Sequence, residues 1–396
     1  MRSTLLGILM GLWMVGLPLC SSAVAVAGRR DKRTTPTEAS QNDGPLPAAR
    51  QLTDPDELAR AKTLRDAAVE AHMDVRSAPS GSDLAPGLMA SKSAYELYFE
   101  AFPNVQGNDQ LHWMFGELLH QYADEVQRQG GADALQRARG LKAEASEQFH
   151  RVVRRDSGAQ YSEGCHRSLL VIWRELATSG PESERVDWRR RFVEGAPLYF
   201  ERYPDSRETP VLMFELAALL RASQKDDEAV VWLKRILAEV PHHRVAMSAA
   251  EELLELVAER GDSLRAEQQF SQAAIAYGEL VDLAVTFSKT IGDARYRKEL
   301  KLTMLWAGVL QTDMSYRASA QTTDDKATAA EAYQRLAGAH PTSDAARSAL
   351  WIAFELWIEL ERYADAKTVL SLLETHHPTF PDLDRGRALL GAATNE

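Results

Sequence analysis

Cysteine is almost missing from this chain: Cys20 and Cys165 are its only two. A disulfide-stapled scaffold is excluded, and if the first residues are removed on export only Cys165 remains, so stability must come from packing. Cys165 and His166 do not form a nucleophile–base pair, because neighbours on a helix point about 100° apart. A small buried thiol is expected instead. Positive charge is in deficit: 46 Lys and Arg against 57 Asp and Glu leave a formal net charge of −11. Nucleic acid is therefore not expected as a partner, since phosphate backbones need a basic face. Beyond residue 19 no apolar run is long enough to span a bilayer. Strand-like alternation is absent. So are a glycine-rich phosphate loop, a G-x-S-x-G elbow and an H-E-x-x-H pair. The expectation is a protein with no catalytic residue, no cofactor and no metal, and thus not an enzyme.

What is present begins with an export signal. Arg2 gives a positive start, Leu5 to Leu19 is an apolar stretch of 15 residues, and Ala25-Val26-Ala27 offers small residues for cleavage after Ala27. Two alternatives stand beside cleavage. Arg29, Arg30, Lys32 and Arg33 follow closely and oppose translocation, as in an uncleaved anchor. Cys20 is a candidate for lipidation, although Leu19 is a poor residue to precede it. Membrane association is expected only through such an N-terminal anchor or through a partner.

Residues 28–53 are rich in Arg, Thr, Ser, Pro and Gly without apolar period and are expected to be a flexible linker. Residues 54–87 hold an N-terminal helix, opened by Asp54-Pro55, and a loop from Ser77 to Pro86. From 88 to 380 helical stretches alternate with short turns, and 383–392 within the tail 381–396 is expected to form a capping helix. One signature recurs. Ala229, Leu233, Ile236 and Pro241 have spacings of 4, 3 and 5, as do Ala329, Tyr333, Leu336 and Pro341, and Ala366, Leu370, Leu373 and Pro378. The first three positions form one stripe of a helix, the small Ala admits a neighbouring helix, and Pro ends the segment. Weaker copies are Ser91-Tyr95-Tyr98-Pro103, Ala145-Phe149-Val152, Ala273-Tyr277-Leu280 and the segment Leu198-Tyr199-Phe200 leading to Pro204. Pro204 to Pro241 and Pro341 to Pro378 each span 37 residues, one period of two helices and two turns.

These residues, with Met213-Leu216-Ala217 and the looser His112-Phe115-Gly116, resemble the tetratricopeptide (TPR) repeat. The resemblance implies an all-α, right-handed TPR-like solenoid of about seven antiparallel helix pairs. It also implies a concave groove lined by the first helix of each pair. On that pattern the partner-binding residues are Trp113, Glu117 and His120, then Phe214 and Arg221, then Trp351 and Glu355. Aromatic groups so placed either anchor a bound segment or pack between repeats. The turns Phe102-Pro103-Asn104, Tyr203-Pro204-Asp205-Ser206 and His340-Pro341-Thr342-Ser343 are similar to those of TPR proteins in Gram-negative envelopes. That group includes outer-membrane assembly lipoproteins, Tol-Pal cell-division coordinators and gliding-motility proteins. The expected function is a periplasmic or envelope scaffold or adaptor for other envelope proteins or peptide segments. The alternatives are a structural subunit of an envelope machine and a helical periplasmic enzyme or metalloprotein.

The metalloprotein alternative draws on Glu-x-x-His spacing at 117/120, 147/150, 163/166, 239/242 and 374/377. That spacing serves di-iron bundles only with further inward carboxylates. His242-His243 and His376-His377 are expected to be solvated turn residues.

Overall fold

The computed structural model describes residues 49–79, 82–155 and 161–393. The expected signal peptide, Cys20 and the basic residues 29–33 lie outside the described residues. Among these residues the regular structure is fifteen α-helices. They are α1 (Pro55–Ser77), α2 (Ala85–Ala101), α3 (Asp109–Gln129), α4 (Ala132–Arg155), α5 (Ser162–Thr178), α6 (Glu182–Arg202), α7 (Thr209–Ala222) and α8 (Asp226–Glu239). There follow α9 (Ala246–Ala266), α10 (Phe270–Thr290), α11 (Ala294–Ala318), α12 (Thr323–Ala339), α13 (Asp344–Glu359), α14 (Tyr363–His376) and α15 (Leu383–Ala393).

The helices divide into two compact units, one ending at Leu219 and the other beginning at Leu220, with the division inside α7. In the first unit each helix from α1 to α6 packs on the next. In the second the same holds from α8 to α15, with additional contact from α11 to α13 and from α13 to α15. The fold is thus all-α, with helices packed sequentially in pairs. The pairing begins earlier than the sequence pattern indicated. α1 packs on α2 and buries Ala68, His72 and Val75, so it is the first helix of a pair and not an addition to the array.

The predicted stripes are the core. Ala229, Leu233 and Ile236 are fully buried, as are Ala145, Phe149 and Val152. Ser91-Tyr95-Tyr98, Ala273-Tyr277-Leu280, Ala366-Leu370-Leu373 and Tyr199-Phe200 are buried too, while Leu336 is half-buried and Leu198 exposed. Pairing depends on a small residue opposite a large one. A Cβ on Gly116 would lie 2.8 Å from the Phe149 ring, and one on Gly261 would lie 2.8 Å from the Tyr277 ring. The second helix's aromatic thus sits directly on the first helix's backbone.

The prolines act as the pattern requires. Phe102, Tyr203, Val240, His340 and His377 each precede a proline and each end a helix, with φ between −130° and −146° and ψ between 55° and 68°. A following proline disfavours the α conformation at these positions. The turns inside pairs use another device. Gln224, Gln268, Gln321 and Glu361 hold φ of 58°, 60°, 53° and 57°. At three of them the next amide reaches back five residues, from Lys225 to Leu220, Gln269 to Leu264 and Arg362 to Trp357. This is the left-handed helix ending usually given to glycine.

Candidate functional site

Trp113, Glu117 and His120 share one face of α3. The Trp113 indole lies close enough to the Glu117 carboxylate to favour its charged form. Its ring stacks on Tyr161, just before α5, with centroids 4.5 Å apart and planes 16° apart. Farther along, His120 Nε2 stands 4.0 Å from Glu175 of α5. Lys142 of α4 reaches the same Glu175 at 2.8 Å and Asp124 of α3 at 3.5 Å. The first helices of successive pairs therefore meet side by side, running in the same direction. Arg174 of α5 continues the series with an ion pair to Glu215 of α7. Burial pushes the Glu117 carboxyl above its usual range, more than the charge of Arg76 and the nearby Trp113 indole pull it down. Arg76, at the end of α1, acts on it through space without forming an ion pair.

The last predicted set is built alike but covered. On α13 the Trp351 indole likewise lies close enough to Glu355 to favour its charged form. The Trp351 ring stacks on Phe354 at 5.3 Å and meets the edge of Phe380, also at 5.3 Å. Arg385 of α15 binds Glu355 at 3.2 Å, and its guanidinium lies 5.4 Å from the Trp351 ring centroid. Burial raises the Glu355 carboxyl, with Arg385 and Trp351 opposing it.

On α7, Phe214 is half-buried. Arg221 is tied to Glu252, to Glu255 at 3.1 Å and to Glu259 at 2.8 Å, all on α9. Burial opposes the Arg221 charge, but those carboxylates outweigh it and hold the proton more firmly.

The structure thus brings Trp113, Glu117 and His120 together against α5, and Trp351 and Glu355 together against α15. It keeps the two sets in different units. Tyr161, Glu175, Phe380, Arg385 and the three glutamates on α9 were missed by sequence reasoning. One signal was available: Trp-x-x-x-Glu occurs on α3 and again on α13.

The other candidates are accounted for by packing. Cys165 is fully buried, and burial, with the charges of Glu117 and Asp109, pushes its thiol up to about 12. Glu147 pairs with Arg191 at 3.2 Å, and His150 lies edge-on to Trp173. His166 is buried edge-on to Tyr199 and Tyr203. Among the described residues no group of three His, Cys, Asp or Glu is placed to hold a metal ion. His377, expected in a solvated turn, is buried, the α14 C-terminus lying near the Pro341 turn.

The first unit also holds a cleft of about 1110 Å³ between α1, the turn 105–108 and the start of α3, lined in part by Leu58, Lys62, Arg65, Tyr98 and Met114. Of the expected linker, Arg50 borders this cleft region through a parallel bridge to Val105 and an ion pair with Glu57 at 3.1 Å.

No protein-family model matches the chain, and no curated protein matches it by sequence. Among solved structures, the TPR domain of P58(IPK) is similar at 11% identity and a TM-score of 0.27, covering 84% of this chain and 98% of that one. The Naa15/Naa10 complex bound to HypK-THB gives 13% identity and 0.27, covering 86% of this chain but only 64% of the other. The C-terminal part of a TPR repeat-containing protein from Cytophaga hutchinsonii gives 12% identity and 0.23, covering 69% of this chain and 98% of that one. At such scores the helix pairs themselves remain the ground for describing the fold.

Proposed function

We propose that this chain is an exported protein–protein interaction scaffold, or adaptor, of the bacterial cell envelope, and that it works by binding without catalysis. The observation that carries the reading is the face of the first helices. In the first unit α3 and α7 leave Trp113, Glu117 and Phe214 half-buried there, an arrangement that lets an extended or helical segment be gripped at more than one point. The envelope location rests on Arg2, the apolar stretch Leu5–Leu19 and the small residues before Gly28. The partners are other envelope proteins. A structural role in a larger envelope machine draws on Val231 of α8 and Ile275 of α10, apolar side chains 62% and 68% exposed.

Crosslinking in the native host, followed by mass spectrometry of what copurifies with the tagged chain from envelope fractions, tests this. A short reproducible set of envelope proteins is expected. Recovery of the chain alone from the cytoplasmic fraction would overturn both scaffold and location. Concentration-dependent self-association of the purified chain would favour the structural subunit.

A further inference from the structure

The two Trp-x-x-x-Glu pairs differ in one respect. On α13 the pair is filled: Arg385 places its guanidinium over Trp351 and its charge on Glu355. A planar guanidinium, which can stack on a ring while its fork meets a carboxylate, satisfies that combination better than an ammonium. On α3 Trp113 and Glu117 have the same spacing, the tryptophan is again met by an aromatic, here Tyr161 stacked on it, and among the described residues no guanidinium pairs with the carboxylate, Arg76 acting on it only from a distance. The helix that follows shows why. Arg385 is the third residue of α15, and the third residue of α5 is Gly164. A Cβ on Gly164 would meet no atom within 4 Å. Where α15 supplies an arginine, the matching position of α5 has a glycine with open space around it, and the half-buried Glu117 carboxylate has no ion pair among the described residues.

We infer that Trp113 and Glu117 form a receptor for an arginine side chain of a partner protein, bound as Arg385 is bound within the chain. The inference rests on the scaffold reading and gives it a recognition chemistry. The occupant is an arginine-bearing segment, in keeping with the formal charge of −11. Trp113 presents the ring plane, Glu117 the counter-charge, and the gap at Gly164 the room to enter.

The test uses the full chain and a short blocked oligoarginine peptide, with an oligolysine of equal length for comparison, followed by titration calorimetry at low salt. Arginine is expected to bind more tightly than lysine. Glu117→Gln should weaken arginine binding about tenfold or more. Glu331→Gln, which removes the same charge from an exposed carboxylate on α12, should leave it unchanged. Gly164→Arg, at a position with room for a side chain, should supply the guanidinium in cis and block the peptide. Equal weakening by Glu117→Gln and Glu331→Gln would mean diffuse attraction to an acidic protein and would overturn the inference. So would undiminished binding in Glu117→Gln or in Gly164→Arg. If envelope partners still crosslink to Glu117→Gln as to wild type, the receptor falls and the scaffold reading stands. If no partner is recovered but the peptide binds through Glu117, the scaffold reading falls instead.

Discussion

His72, His112 and His166 sit one to a pair in the first unit, each almost without solvent exposure. His72 meets the Tyr95 hydroxyl at 3.1 Å and lies near Arg76. His112 Nδ1 contacts Gln148 at 2.8 Å, stacks on Phe99, and feels Arg155, Arg151 and Asp109. His166 lies between Tyr199 and Tyr203, with Arg202 and His150 nearby. Burial, with the neighbouring arginines, brings each imidazole down to about 4. The folded value lies below the unfolded one, so the unfolded chain binds protons first. Stability is complete above pH about 6.5 and is lost as pH falls from there toward about 4. For His112 and His166 the loss approaches about 3 kcal/mol each. In His166→Phe, the difference in urea-unfolding free energy between pH 7 and pH 4.5 should shrink by about that amount; an unchanged difference would show that His166 does not take part. None of this was legible beforehand. A histidine inside an amphipathic stripe has the same sequence signature whether its ring is wet or dry, and His377 was misjudged for that reason.

At the scale of the element, pairing and turning set the energetics. Gly116→Ala would drive a methyl group into the Phe149 ring, itself fully buried. A loss of about 1–3 kcal/mol is expected, measurable as a lower urea midpoint with an unchanged slope. The opposite sign is expected where a side chain occupies a left-handed turn. Glu361 holds φ of 57° and is exposed. Glycine there relieves backbone strain of about 1 kcal/mol and sacrifices part of it to greater freedom in the unfolded chain. Glu361→Gly should therefore raise stability by roughly 0.5 kcal/mol in the same assay. The helix stripes and proline stops were readable because they follow from local periodicity and from the steric demand of one ring. The left-handed turns were not, because glutamine and glutamate stand where glycine would have announced them.

Across the molecule, each helix packs chiefly on its sequence neighbours within a unit, so stability is a sum of near-neighbour terms and can fail region by region. The histidines brought down to about 4 all lie before Leu219. Beyond it His377 is lowered by burial. Acid should therefore loosen the first unit ahead of the second. Hydrogen exchange at pH 7 and pH 5, corrected for intrinsic rates, should show protection lost in helices α1–α6 while α9–α14 retain theirs. Uniform loss across the chain would contradict a sum of near-neighbour terms.

The sequence by itself determined an all-α chain of paired helices, the stripes that form its core and the prolines that end its helices. These depend on residues within one or two turns of each other, so a short window contains the whole cause. Only the tertiary structure decided that the Glu355 carboxylate is answered by Arg385, 30 residues away, that Glu117 has no such answer among the described residues, and that α1 belongs to a pair. It also decided which histidines lose their water. Each of these is a through-space relation between separate helices, governed by helix register and by the desolvation of charge, and neither is encoded in any local pattern of residues.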